Sequence, residues 1–192
     1  MKKQVAYFIL FSVLLIVSAT MISCRSLTQN TQNNDCDIND RDAEGSLGTK
    51  VSFLDKTDPL LGLSSEERLN QNVKACGYQS DDGSFIYVQR NEYTTEDEAI
   101  RVYDFSKGLL ISMEIKDAGD YWEDDVLAIV DKGYMIHAYH EDGLHVDVVG
   151  RVGKTTFTIR SRGSRSNKAF SHVKIKGLAV SISRKLTSNI SK

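Results

Sequence analysis

The chain is poor in the residues that announce chemistry. Only three cysteines occur in 192 residues, at positions 24, 36 and 76. No G-x-S-x-G is present, which removes the signature of an exposed nucleophilic serine, and no phosphate-cradling glycine loop is present either. Acids are missing from the whole carboxy-terminal part: all 26 Asp and Glu lie between Asp35 and Asp147, whereas residues 151–192 carry 11 Lys and Arg. What remains speaks more of location than of reaction.

The amino terminus is informative. Met1-Lys2-Lys3 precedes the apolar run VAYFILFSVLLIV from Val5 to Val17, and small residues follow at Ala19, Thr20 and Ser23. A short basic start, an apolar core and a small-residue end make a secretory signal. Its last residues, Met21-Ile22-Ser23-Cys24, resemble the lipobox of bacterial lipoproteins, with Met21 where that family has leucine. The resemblance implies cleavage before Cys24, diacylglycerol on its thiol and a lipid membrane as the first partner. It also implies a cell-envelope location facing the periplasm or exterior, and the outer membrane in a two-membrane bacterium, because Arg25 stands where an inner-membrane retention aspartate would. The alternatives are an uncleaved spanning helix, since Val5–Ser23 is close to the roughly 20 residues needed to cross a bilayer, and a plainly secreted protein.

Residues 24–50 carry almost no large apolar side chain and are rich in Asn, Gln, Ser and Asp. Such a segment cannot offset its ordering entropy by burial, so it is expected to be a flexible tether, reaching about 25–30 Å as a random coil. One domain is then expected over 51–186, with a short tail at 187–192. With Cys24 acylated, Cys36 and Cys76 form an even pair in an oxidising compartment and are disulfide candidates. Free thiols, or an intermolecular bond through Cys36, are the alternative.

Within the domain three stretches share one grammar: Ser64-x-x-Glu67, Thr95-x-x-Glu98 and Asp120-x-x-Glu123 open helix patterns that end before Gly77, Gly108 and Gly133. Period-two segments follow at 85–90, 109–115, 134–140, 144–149 and 155–160, and Asp142-Gly143 signals a hairpin. The stretch from Ser171 alternates through Val173, Ile175, Val180 and Ile182 and is expected as strand. The expected architecture is therefore α+β, a mainly antiparallel sheet of about five or six strands with two or three helices on one face.

Two constellations stand out. Arg160, Arg162, Arg165, Lys168, Lys174 and Lys176 could form one basic contact surface, because alternation in 155–160 sends Phe157 and Ile159 to one face and Thr158 and Arg160 to the other. RNA contact would suit such a surface in a cytosolic protein, but the signal argues against nucleic acid and for an acidic envelope protein or anionic envelope polymer. The opposing expectation is that the fold brings these cations beside the acids of residues 24–150 and cancels them.

The second constellation is the hairpin, where a turn at Asp142-Gly143 sets His140 opposite His145 with Asp147 on the same face, a weak candidate for zinc. Ser171-His172-Val173-Lys174 spells S-x-x-K, which an extended segment would not place for catalysis. No cofactor is expected, and the reading is a non-enzymatic binding or accessory module, with a small-ligand or metal-binding domain using 137–147 as the alternative and an envelope hydrolase as the least supported.

Overall fold

The computed structural model describes residues 36–115, 120–124 and 131–190. In chain order the elements are α1 (Asp40–Leu47), β1 (Ser52–Leu54), a 3-10 turn (Pro59–Leu61), α2 (Ser65–Leu69), β2 (Val73–Gln79), β3 (Phe85–Glu92), α3 (Glu96–Ile115), β4 (Asp120–Asp124), β5 (Lys132–Tyr139), β6 (Gly143–Val152), β7 (Thr155–Ser164) and α4 (His172–Ile190). The strands form one antiparallel sheet in the order β1-β2-β3-β7-β6-β5-β4. The class is α+β, as the sequence implies.

The sheet is buried on both sides, and its two faces have different covers. Met135, Val146, Val148, Phe157 and Ile159 join Ile86 and Val88 under α1 and α4, in a cluster that includes Ala43, Leu47, Ile175, Leu178, Ala179, Ile182 and Leu186. On the opposite face Tyr134, Ile136 and Val149 pack with Tyr103 and Leu110 of α3. Further along that face, Ala75 and Tyr87 lie under Leu61 and Leu63. The long helices are thus divided between the faces instead of sharing one.

Several boundaries differ from the sequence reading for identifiable reasons. Residues 36–50 belong to the domain: Ile38, Ala43 and Leu47 are buried in the core, and Asn39 caps α1 by accepting from the amide of Asp42. Three apolar residues within ten positions are enough when Ala43 and Leu47 share one stripe of α1 and Ile38 packs just before its cap. The compact unit therefore begins at Asp35 and not at Val51.

The Ser64–Glu67 capping box is present, but it opens a helix of one turn only. Asn70 then accepts from the amide of Asn72 and turns the chain into β2, whose alternate residues feed both faces. By contrast, α3 runs through Gly108 to Ile115, where a stop and a strand are expected. Leu110 and Ile111 continue the stripe begun by Tyr103, and their burial outweighs the roughly 1 kcal/mol a helical glycine costs.

Residues 120–124 form strand β4 on the edge of the sheet, with Trp122 paired to His137, instead of opening a helix; residues 125–130 of that expected helix lie outside the described residues. The segment from Ser171 is also reversed, from strand to helix. Its buried residues Ile175, Leu178, Ala179, Ile182 and Leu186 follow the 3-4 helical spacing, which the alternation of Val173, Ile175, Val180 and Ile182 conceals.

Cys36 and Cys76 are joined in a disulfide, with Cα atoms 5.4 Å apart across 40 positions. The bond fastens the start of the domain to β2. Among the described residues no helix is long and apolar enough to cross a membrane.

Candidate functional site

The central strands β6 and β7 place a row of polar side chains on the α3 face, in strand order between the patch under α3 and the patch under Leu61 and Leu63. Alternation along β7 sends Arg160 and Arg162 there, while Phe157 and Ile159 go to the opposite core. Register sets Asp147 opposite Arg160, and His145 opposite Arg162. On the other side of β7, Tyr87 pairs with Arg160 and Phe85 with Arg162.

Asp147 is wholly buried, and Arg162 closes on it with both terminal nitrogens, at 2.6 and 3.2 Å. This two-point grip is the strongest geometry a guanidinium offers a carboxylate. Arg162 also donates to the carbonyl of Ser161 at 2.8 Å and lies 5.9 Å from the Phe85 ring centroid. Its side chain is only 13% exposed, so the pair is internal structure.

Arg160 stands differently. Its Nε is 3.6 Å from the same Asp147 carboxylate, too far for a hydrogen bond, and that nitrogen is buried with no hydrogen-bond partner among the described residues. The side chain is 36% exposed. One carboxylate is approached by two guanidiniums, and Arg160 is the one that reaches solvent. Burial pushes the Tyr87 hydroxyl well above its ordinary range, with the Glu67 carboxylate adding to the effect and Arg160 opposing it. That hydroxyl donates to Gln89 at 2.6 Å, so its proton is held within the protein.

The histidines are arranged less simply than the sequence implies. The hairpin turns at Glu141-Asp142, one position early, with reciprocal backbone bonds between His140 and Gly143. Gly143 opens β6 at φ 148°, where a Cβ would strike the carbonyl of Gly163; it is a strand residue in close backbone contact and not a turn residue. Ala138 therefore sits opposite His145. His140 still stacks on His145 diagonally, ring centroids 4.0 Å apart, while His145 Nε2 lies 2.8 Å from Asp142 Oδ1.

Asp147 is turned to its arginines and is not the third corner of a metal site. Among the described residues no group of three or more His, Cys, Asp or Glu could hold a metal ion. The 137–147 metal candidate is withdrawn for that reason.

The single basic surface expected from Arg160 to Lys176 does not form. Arg160 and Arg162 lie on the α3 face, whereas Lys174 and Lys176 belong to α4, which covers the other face. Arg165 and Lys168 are exposed in the loop between them. Cancellation is real for part of the set: Arg151 pairs with Glu96 at 2.8 Å, Arg160 and Arg162 with Asp147, and Lys185 approaches Asp42 at 3.8 Å. Ser171 and Lys174 do stand on a helical start, but the Lys174 ammonium donates to the carbonyl of Ala169 at 2.8 Å.

No family model matches the chain, and no curated protein matches it by sequence. Among solved structures, its fold is similar to the extracellular domain of PknH from Mycobacterium tuberculosis. The likeness has a TM-score of 0.46 and 9% identity, and it covers 79% of this chain and 92% of that one. No residue role follows from it.

Proposed function

We propose that this protein is a lipid-anchored, non-enzymatic binding module of a bacterial cell envelope, tied to its membrane through Cys24, and that it holds an anionic group of its partner on Arg160. The compartment is supported by the disulfide, since such bonds persist in oxidising surroundings outside the cytoplasm. The signal-like start and the lipobox-like Met21-Ile22-Ser23-Cys24 support the anchor.

One observation carries the binding role. Arg160 has the carboxylate opposite it, Asp147, already gripped by Arg162, a buried Nε with no hydrogen-bond partner among the described residues, and about a third of its side chain in solvent. A guanidinium in that state favours a carboxylate or another oxyanion supplied from outside. An acidic envelope protein or an anionic envelope polymer has this chemistry.

The reading is tested by retention on immobilised acidic proteins and anionic wall polymers, comparing the chain with Arg160→Gln. Hydrogen bonds to charged groups contribute about 1.5–3 kcal/mol, so the variant should lose tenfold or more in affinity. Retention that does not change in the variant would remove Arg160 as the contact.

A further inference from the structure

Helix α4 carries Lys174, Lys176, Arg184 and Lys185 and no acid in its 19 residues. Its buried line, Ile175, Leu178, Ala179, Ile182 and Leu186, faces the sheet. The opposite line therefore faces solvent, and it holds Val173 at 65% exposure together with exposed Gly177, Arg184 and Ser188, while exposed Lys174 lies on its flank. The loop before the helix adds exposed Arg165 and Lys168.

The first described residues lie beside this helix. Cys36 is bonded to Cys76, whose side chain lies in the cluster under α4, and the Lys185 ammonium donates to the carbonyl of Asp37 at 3.1 Å. Cys36 lies only 12 positions after Cys24. Fully extended, that stretch spans at most about 40 Å, little more than the roughly 28 Å length of a 19-residue helix. An anchor on Cys24 thus keeps α4 within reach of the bilayer.

We propose that the outer side of α4, with Arg184 at its centre and Lys174 on its flank, docks on anionic phospholipid headgroups of the anchoring membrane. The proposal rests on the reading of Cys24 as the anchor. Acids beside the helix set its strength: Asp42 stands 3.8 Å from Lys185 and offsets it, and Asp40 and Glu44 lie on the adjacent α1. Lys174, Arg184, Arg165 and Lys168 have no such ion pair among the described residues. Each cation brought to an anionic surface strengthens binding about fivefold, too little to recruit a free protein but enough to orient one that a short tether already confines. The outer side lacks the apolar stripe of an inserting helix, so contact is with headgroups. Docked this way, the α3 face and Arg160 point away from the membrane, toward a partner.

The test uses the mature chain reconstituted in vesicles bearing headgroup quenchers, with a fluorophore on Ser181→Cys of α4 or Asp104→Cys of α3. In vesicles of three parts phosphatidylcholine to one part phosphatidylglycerol, the probe at 181 should be quenched and the probe at 104 should not. The contrast should vanish in pure phosphatidylcholine. Combining Lys174→Gln with Arg184→Gln should lower the ratio of docked to undocked protein about twenty-five-fold. Equal quenching at both positions, or quenching at 181 that ignores lipid charge, overturns the proposal. Flotation and fatty-acid labelling in the same preparation separate the two readings. A chain that floats with an unquenched 181 probe refutes docking alone, a chain quenched at 181 without acyl label refutes the anchor alone, and one that does not float refutes both.

Discussion

The guanidinium of Arg162 takes both oxygens of the wholly buried Asp147 carboxylate, at 2.6 and 3.2 Å, and leaves Arg160 only a 3.6 Å approach to the same group. The two arginines therefore do different work although they are two residues apart on one strand. Arg162→Ala should destabilise the domain by about 3–5 kcal/mol, because it strands a buried charge. Arg160→Gln, at a pair that is part-exposed and not hydrogen-bonded, should cost under about 1 kcal/mol. Urea unfolding of the two variants reads both numbers, and equal losses would refute the division of roles.

The disulfide closes a loop of 40 residues. In the chain-entropy description such a loop contributes about 4 kcal/mol, so Cys76→Ser or a reductant should lower the unfolding midpoint and loosen α1. A thiol count separates this bond from the anchor. On the proposed acylation of Cys24 the denatured chain should show no free thiol before reduction and two after it, whereas an unacylated Cys24 would add one to both counts.

Acid should weaken the turn that leads into β2. Glu67 accepts from the amide and hydroxyl of Ser64, and these bonds hold its carboxyl below the ordinary value of 4.5. A carboxyl lowered by folding adds stability above 4.5, and that stability is lost as pH falls through the lowered value. Ser64→Ala should cost about 1 kcal/mol at neutral pH, and less at a pH below the lowered value. Unfolding curves at the two pH values check the sign; a deficit that grows in acid would contradict it.

The ring of Phe157 lies against Gly150, its register partner across β6 and β7, and a Cβ at 150 would overlap the ring. Gly150→Ala should therefore force the buried ring aside and cost about 1–3 kcal/mol. Restored stability in the double variant Gly150→Ala with Phe157→Leu would confirm that the ring is the obstacle.

Much of the sheet is legible in the sequence because strand alternation is local. The segments at 85–90, 144–149 and 155–160 lie within β3, β6 and β7, the one at 134–140 overruns β5 by His140 alone, and Phe157 and Ile159 face the core as alternation requires. Helices were harder where two periods overlap: Val173, Ile175, Val180 and Ile182 fit a strand, and only Leu178, Ala179 and Leu186 reveal the helix. Glycine 108 reads as a stop because local propensity says so, yet tertiary burial of Leu110 carries α3 past it. The site was partly legible. Arg160, Arg162 and Asp147 are visible as residues, but that one arginine is consumed by the carboxylate and the other is not depends on side-chain reach across paired strands. No spacing rule contains that distinction. The tether shows the same limit, since Ile38, Ala43 and Leu47 look too sparse to fold until α4 and a disulfide supply the surface they pack on.

The most direct measurement is crosslinking from the contact itself, in intact envelopes. A photoreactive side chain at Thr158, half-buried on the α3 face two residues from Arg160, should give a discrete adduct with an acidic protein or anionic polymer, and Arg160→Gln should abolish it while leaving the protein folded and membrane-bound. An adduct that persists unchanged in Arg160→Gln, or the absence of any adduct at Thr158, would contradict the account.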